Sequence, residues 1–357
     1  MRSAHHRLES LDAFRGITIA GMILVNNPGN WERVYPSLVH ADWNGWTLAD
    51  LVYPFFIVIL GVALPFALSR RRQSGHHHRR LYARFVRRGL LLFGLGFLLN
   101  LVAARFMFDV VRIPGVLQRI AIVYVIAAMI TLHASPRLRA VIAAALLIGH
   151  WAILRLTPMT PADTIAGSID RAVFGAHTLL PTGDPEGILG TMSAVATALI
   201  GSVAGEWLRT ARTATNKLLA LVTGGAGLAL AGYAWSFVLP INKPVWTGSY
   251  ALFTAGLALL GLAICYWVID VHDHRGWALP FVWLGLNPLA IYFLAELVGH
   301  LIEMSNVKTV LFWSGLRPAI DPPLDEMATS LAFAVLTVAF WTAIAGLLDR
   351  RGIRIQV

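Results

Sequence analysis

The sequence predicts an all-α integral membrane protein of about ten transmembrane helices, with both termini on the cytoplasmic side. Three observations predict it. Only 13% of the 357 residues are charged and 57% are hydrophobic, where a soluble domain carries roughly 25% charged residues. The apolar residues gather into stretches long enough to cross a bilayer, which takes roughly 20 residues per helix. The basic residues punctuate those stretches instead of lining one face, as topology signals do. A mean hydropathy of +0.66 agrees.

Reading apolar runs against charged breaks places the helices near residues 11–27, 47–69, 88–104, 115–133, 139–156, 188–208, 217–239, 250–269, 278–300 and 328–348. The first is short for a span and carries Asp12 and Arg15, which lie within reach on one helix face. They read as an ion pair at the membrane entry or as half of an anion site. The ninth contains Asn287-Pro288, and a proline inside a helix removes a hydrogen bond and predicts a kink.

An even number of spans returns the chain to the side on which it began. That side collects Arg2, Arg7, the run RRRQSGHHHRRLYARFVRR, Arg137, Arg139, Arg209, Arg212, Lys217, Arg275, Arg350, Arg351 and Arg354, about 19 basic residues against about 8 opposite. The positive-inside rule makes it cytoplasmic. The +10 net charge is thereby read as topology, and nucleic acid is not expected as a partner. No linker, low-complexity tract or internal repeat divides the chain, so 1–357 reads as one membrane domain with a basic cytoplasmic loop at 70–88. No cleavable signal is expected at the first apolar stretch, because it carries charges and lacks a small-x-small site. The lone Cys265 allows no disulfide framework. His76, His77 and His78 have no cysteine or carboxylate nearby, so no metal site is expected.

The second helix opens on a polar cluster, LVHADWNGWTLAD. Thr47 and Asp50 have capping-box spacing, which starts the helix at Leu48 and makes Asp50 a structural acid at a positive helix end. His40 is not absorbed by that reading. Trp43 and Trp46 put it near the lipid–water boundary, on the outer side, where an imidazole suits proton transfer or nucleophilic attack. Asn26 and Asn27 emerge nearby in MILVNNPGNW. Asn27 to Gly29 read as a helix stop, whereas Asn26 is placed to orient a histidine or to donate to an oxyanion.

Other polar residues occupy apolar ground. Gln118 and Arg119 fall within the fourth span and Arg112 just before it, and an arginine at membrane depth is a functional-site hypothesis. Asp184 and Glu186 at the outer mouth of the sixth span read either as turn residues or as holders of a cationic substrate group. Lys243 and Trp246 on the outer side, and Asn287 in the ninth span, complete the substrate-side candidates.

Five ordered stretches, RLESLDAFRGITIAGMILVNNPG, HADWNGWTLADLVYPFF, RIPGVLQRIA, DPEGILGTMSAVAT and PINKPVWTGSYALFTAG, resemble the bacterial, NagX-like relatives of heparan-α-glucosaminide N-acetyltransferase. The resemblance runs from Arg7 to about Asp349 and corresponds to the catalytic membrane domain, without the additional luminal region and extra span of the lysosomal enzymes. It implies transfer of acetyl from cytosolic acetyl-CoA to the amine of glucosamine or a terminal glucosaminide across a bacterial inner membrane, by a homodimer. It carries the catalytic histidine onto His40 and its active-site neighbour onto Asn26. Arg15 and Arg119, with Gln118 beside them, become candidates for the anionic donor. Arg112 lies nearer the outer face and suits either donor or acceptor. His40 would act as a general base or as an acetylated nucleophile. A membrane O-acyltransferase acting on surface glycans, or an amino-sugar transporter, are the competing classes. The first would acetylate hydroxyl sugars, and the second would move sugar without acetylating it.

Overall fold

A peptide group facing lipid has no water to pair with, so a helix, which pairs its own backbone, is the form each apolar run adopts. The computed structural model describes residues 8–73, 78–305, 307–320 and 325–355, and among them the regular elements are all helices joined by loops, with no strand. The helices are α1 (Glu9–Asn26), α2 (Ala49–Gln73), α3 (His78–Ala103), α4 (Val116–His133), α5 (Pro136–Leu154), α6 (Ile165–Phe174), α7 (Ile188–Leu208), α8 (Ala214–Trp235), α9 (Gly248–Cys265), α10 (Leu279–Leu286), α11 (Pro288–Met304), α12 (Arg317–Ile320) and α13 (Glu326–Arg350). A π-helical turn, Tyr266–Val271, prolongs α9, and another, Thr309–Leu316, leads into α12. Arg2, Arg7, His76 and His77 lie outside the described residues, as does part of the basic 70–88 loop.

Among the described residues, eight helices are long and apolar enough to span a membrane, or nine when α10 and α11 count as one broken span. The chain is an all-helical integral membrane protein. The first expected span, α1, carries Glu9, Asp12 and Arg15 yet sits inside the bundle, packed on α2, α9, α10, α11 and α13. Its charges meet protein instead of lipid. Arg15 Nη1 donates to Asp12 Oδ1 (3.1 Å) and to the Gly285 carbonyl (3.2 Å). This contact requires glycine on both helices: a Cβ on Gly16 would stand 1.7 Å from the Phe281 oxygen, and one on Gly285 1.9 Å from the Asp12 oxygen.

The break at Asn287-Pro288 is a 76° bend. Asn287 Nδ2 donates to the Ile353 carbonyl (3.2 Å), and its Oδ1 accepts from Ile355 N–H (2.7 Å). The amide expected to bind substrate therefore pins the C-terminal tail, at the end of the bundle where the chain's basic segments gather. Alternating spans place the starts of α2, α4, α7, α9 and α13 at the opposite end, where Gly29 N–H meets the Ser330 carbonyl (3.2 Å).

Candidate active site

At the end away from the basic segments, the segment before α2 is fastened to the segment before α9. Gly45 N–H donates to the Ile241 carbonyl (2.8 Å). Asn242 Nδ2 donates to the Trp43 carbonyl (2.8 Å) and to Asn44 Oδ1 (3.1 Å). Trp43 Nε1 donates to the Met159 carbonyl (2.9 Å). These bonds bring His40 against Lys243, 203 residues along the chain.

Asp50 fixes the pair. Its Oδ2 accepts from Ala41 N–H (3.0 Å), Thr47 N–H (3.0 Å) and Thr47 Oγ1 (3.2 Å). The acid half of the expected capping box is thus present. Thr47 instead spends its hydroxyl on the Val39 carbonyl (2.7 Å) and on Asp50. The remaining oxygen, Oδ1, lies 2.8 Å from His40 Nδ1 and 3.3 Å from Lys243 Nζ. A carboxylate only accepts, so Nδ1 carries the proton and Nε2 the lone pair. Lys243 Nζ lies 2.9 Å from Nδ1 and 3.1 Å from Nε2. Asp50 is 1% exposed and His40 is 50% exposed, so a buried anion holds an imidazole that faces outward. Burial lowers Lys243 below its ordinary value, while the charges of Asp50 and Glu186 oppose that shift.

A second ionic group abuts the first. Arg112 Nε donates to Asp184 Oδ2 (2.8 Å) and Nη2 to Asp184 Oδ1 (2.5 Å) and to Glu186. Asp184 also accepts from Leu179 N–H (2.8 Å) and Glu186 N–H (2.9 Å). Burial alone would raise Glu186, but Arg112, Arg119 and Lys243 outweigh it and hold the carboxyl below its ordinary value. The two acids expected to meet a substrate amine are occupied by Arg112, and Arg112 by them.

Beneath lies a packed floor. Arg119 is 1% exposed, donates to the Gly187 carbonyl (3.2 Å) and lies over the Trp246 ring at 5.1 Å. Trp246 is fully buried, donates to Thr197 Oγ1 (3.2 Å) and meets Tyr53 and Tyr250 edge-on. Tyr250 donates to the Asp50 carbonyl (2.5 Å). Gln118 donates to the Ile113 carbonyl (3.1 Å). Arg119, Trp246 and Gln118 thus support the site from below. Asn26 is placed differently: its Nδ2 donates to Glu296 Oε1 (2.9 Å) on the wall of a separate cavity of about 720 Å³. Among the described residues no hydrogen bond joins it to His40.

The basic end holds a cavity of about 530 Å³ lined by Arg15, Arg84, Arg87 and Arg88, with Phe56, Leu60, Leu64 and Leu68 of α2 along its wall. Arg88 stacks on Tyr124 at 4.7 Å. Of the residues expected at an anionic ligand, Arg15 lines this cavity, whereas Gln118, Arg119 and Arg112 lie away from it. Arg84, Arg87 and Arg88 were missed because a basic run beside a span is explained by topology alone. Their signal was the three- and four-residue spacing, which puts them on one face of α3.

Residues 7–183, which include α1, the His40 segment and the three arginines, match the family described as heparan-α-glucosaminide N-acetyltransferase, catalytic. The human protein heparan-α-glucosaminide N-acetyltransferase is 31% identical over 358 residues, covering 82% of this chain and 52% of the relative. The mouse protein of that name is 29% identical over 366 residues, covering 84% and 54%. The chain belongs to the heparan-α-glucosaminide N-acetyltransferase family. It spans about half the length of the curated relatives it matches. Within this family member, the His40–Asp50 pair and the arginine-lined cavity sit at opposite ends of α2. No group of three or more potential metal ligands occurs among its described residues.

Proposed function

We propose that this chain transfers acetyl from cytosolic acetyl-CoA to the amine of glucosamine, or of a terminal glucosaminide, on the far side of a bacterial inner membrane. The observation that carries the proposal is the 2.8 Å His40–Asp50 pair at one end of α2, with the arginine-lined cavity along the same helix. Phe56, on the cavity wall, is six residues beyond Asp50, about 9 Å of helix. Arg15, Arg84, Arg87 and Arg88 suit the phosphates, for which guanidinium groups are well matched. The apolar wall suits the long uncharged arm that carries the thioester inward.

His40 acts as general base. With the amine neutral, its nitrogen bonds to the acetyl carbon and His40 Nε2 takes the nitrogen's proton. The carbonyl oxygen becomes an oxyanion within reach of the Lys243 ammonium, the kind of electrostatic stabilisation that lowers such barriers most. Collapse breaks the C–S bond, and His40 returns the proton to the departing sulfur. Asp50 holds the tautomer that puts the lone pair on Nε2, and Lys243, 3.1 Å from that nitrogen, releases it as it turns to the oxyanion. The charges of Asp50 and Glu186 favour the cationic form of Lys243 and oppose the effect of its burial.

The test is purified protein in liposomes, with labelled acetyl-CoA on one side and glucosamine on the other. Label in N-acetylglucosamine supports the proposal. Label in hydroxyl sugars but not glucosamine replaces it with O-acyl transfer, and sugar movement without label replaces it with transport. Label bound to protein before glucosamine is added would make His40 a nucleophile instead of a base.

A further inference from the structure

A third cavity, of about 570 Å³, is lined by residues of α5, α7, α8 and α9, none of which lines the arginine-rich cavity or belongs to the His40 site. Its walls are apolar, among them Ala144, Leu147, Trp207, Leu221, Gly224 and Leu228. It extends on α8 from Ala220 to Trp235, fifteen residues or about 22 Å of helix. That exceeds one leaflet, half of the roughly 30 Å hydrocarbon core.

Cations stand on the helix ends that lead into the cavity at the basic end. Arg137 precedes the lining residues Ala140 and Ala144 by three and seven residues, and Lys217 precedes Ala220, Leu221 and Gly224 by three, four and seven. Both therefore continue the groove-facing side of their helices. Arg212 lies over the ring of the lining residue Trp207 at 4.2 Å. The local acid, Glu206, is already bound to Arg139 (2.9 Å) and Arg209 (2.9 Å). Trp207 Nε1 is buried and makes no hydrogen bond among the described residues.

We infer that this groove is a binding site for an anionic phospholipid of the leaflet at the basic end. The headgroup phosphate is held by Arg137, Arg212 and Lys217, and an acyl chain lies in the groove. Basic pockets between spans at the cytoplasmic side are suited to such headgroups. Charge complementarity selects lipid over a second copy of the chain, because a two-fold axis along this groove would set the same three cations against their duplicates. The inference does not depend on the proposed chemistry.

The test measures unfolding midpoints of purified protein with phosphatidylglycerol or phosphatidylcholine added. The wild type is expected to rise with phosphatidylglycerol and little with phosphatidylcholine. Replacing Arg137, Arg212 and Lys217 with Gln should abolish the difference, with binding weakened about fivefold for each cation removed. Gly224→Phe should abolish it too while keeping every charge. A Cβ there meets nothing within 4 Å, so the side chain enters the groove with no clash at its first atom, and an unfolding midpoint without lipid checks that the variant folds. Equal effects of the two lipids, or a phosphatidylglycerol effect that survives Gly224→Phe, would overturn the inference. So would a disulfide-linked dimer formed by Gly224→Cys, which would give the groove to a second copy.

Discussion

Asp50→Asn separates the two jobs of one carboxylate. The amide oxygen can replace Oδ2 and keep the bonds from Ala41, Thr47 N–H and Thr47 Oγ1. The opposite rotamer would set an NH₂ group against two backbone N–H donors, at about 1–3 kcal/mol for each buried donor left unpaired. The first rotamer therefore prevails, and it points an N–H at His40 Nδ1 across the present 2.8 Å. Nδ1 must then accept, the ring proton moves to Nε2, and the lone pair that takes the amine's proton is lost. The same substitution in a serine-protease triad costs about 10⁴ in kcat. His40 is half exposed, so water can compete for Nδ1, and the expected loss here is about 10²–10⁴. Removing the anion also strands Lys243, whose side chain is 13% exposed. Breaking a fully buried pair costs about 3–5 kcal/mol, and with Glu186 still nearby about 2–3 kcal/mol is expected. The assay pairs labelled acetyl transfer with an unfolding midpoint and acetyl-CoA binding. A folded Asp50→Asn protein turning over within threefold of wild type would refute the tautomer argument.

Lys243→Met should lower kcat by about 10²–10³ with little change in KM for acetyl-CoA; a change confined to KM would remove Lys243 from the oxyanion. Replacing Arg84, Arg87 and Arg88 together with Gln should raise KM for acetyl-CoA and flatten its salt dependence, with the unfolding midpoint nearly unchanged because all three are exposed. Unaltered KM would move the donor elsewhere. Thr47→Ala deletes the bond to the Val39 carbonyl beside His40 and should cost about 1 kcal/mol of stability together with part of the activity, read as kcat against midpoint. Glu186 is held below its ordinary 4.5, so its contribution to stability is complete above that value and drains as pH falls through the lower, folded one. Midpoints recorded from pH 7 downward should therefore drop in acid more steeply for wild type than for Glu186→Gln, and parallel curves would contradict the ionic network.

The helices were legible because lipid leaves the chain little choice: an apolar run of sufficient length becomes a helix whatever it packs against. The Asn287-Pro288 bend was legible for a similarly local reason. The interior position of α1 was not, since its charges look wrong for a span until Gly16 and Gly285 are seen to let α10 cover them. Side-chain partnerships were hidden to a greater degree. Asp50 reads as a cap in the sequence, but a carboxylate has two oxygens, and the second meets both His40, ten residues back, and Lys243, in a loop far along the chain. Asp184 and Glu186 looked like ligands for a cation, and they are, but the cation is Arg112, 72 and 74 residues before them. Arg84, Arg87 and Arg88 show the converse problem. One general rule accounts for every basic residue beside a span, so it cannot mark the few that also face a cavity. That distinction needs a wall on the other side, supplied here by α2 and the α10–α11 break. Composition thus fixes which segments meet lipid, whereas the site arises where segments distant in sequence bring opposite charges together out of water. This is why the sequence offers His40 as a candidate for chemistry and Lys243 only as a separate substrate-side candidate, with nothing in it to join the two.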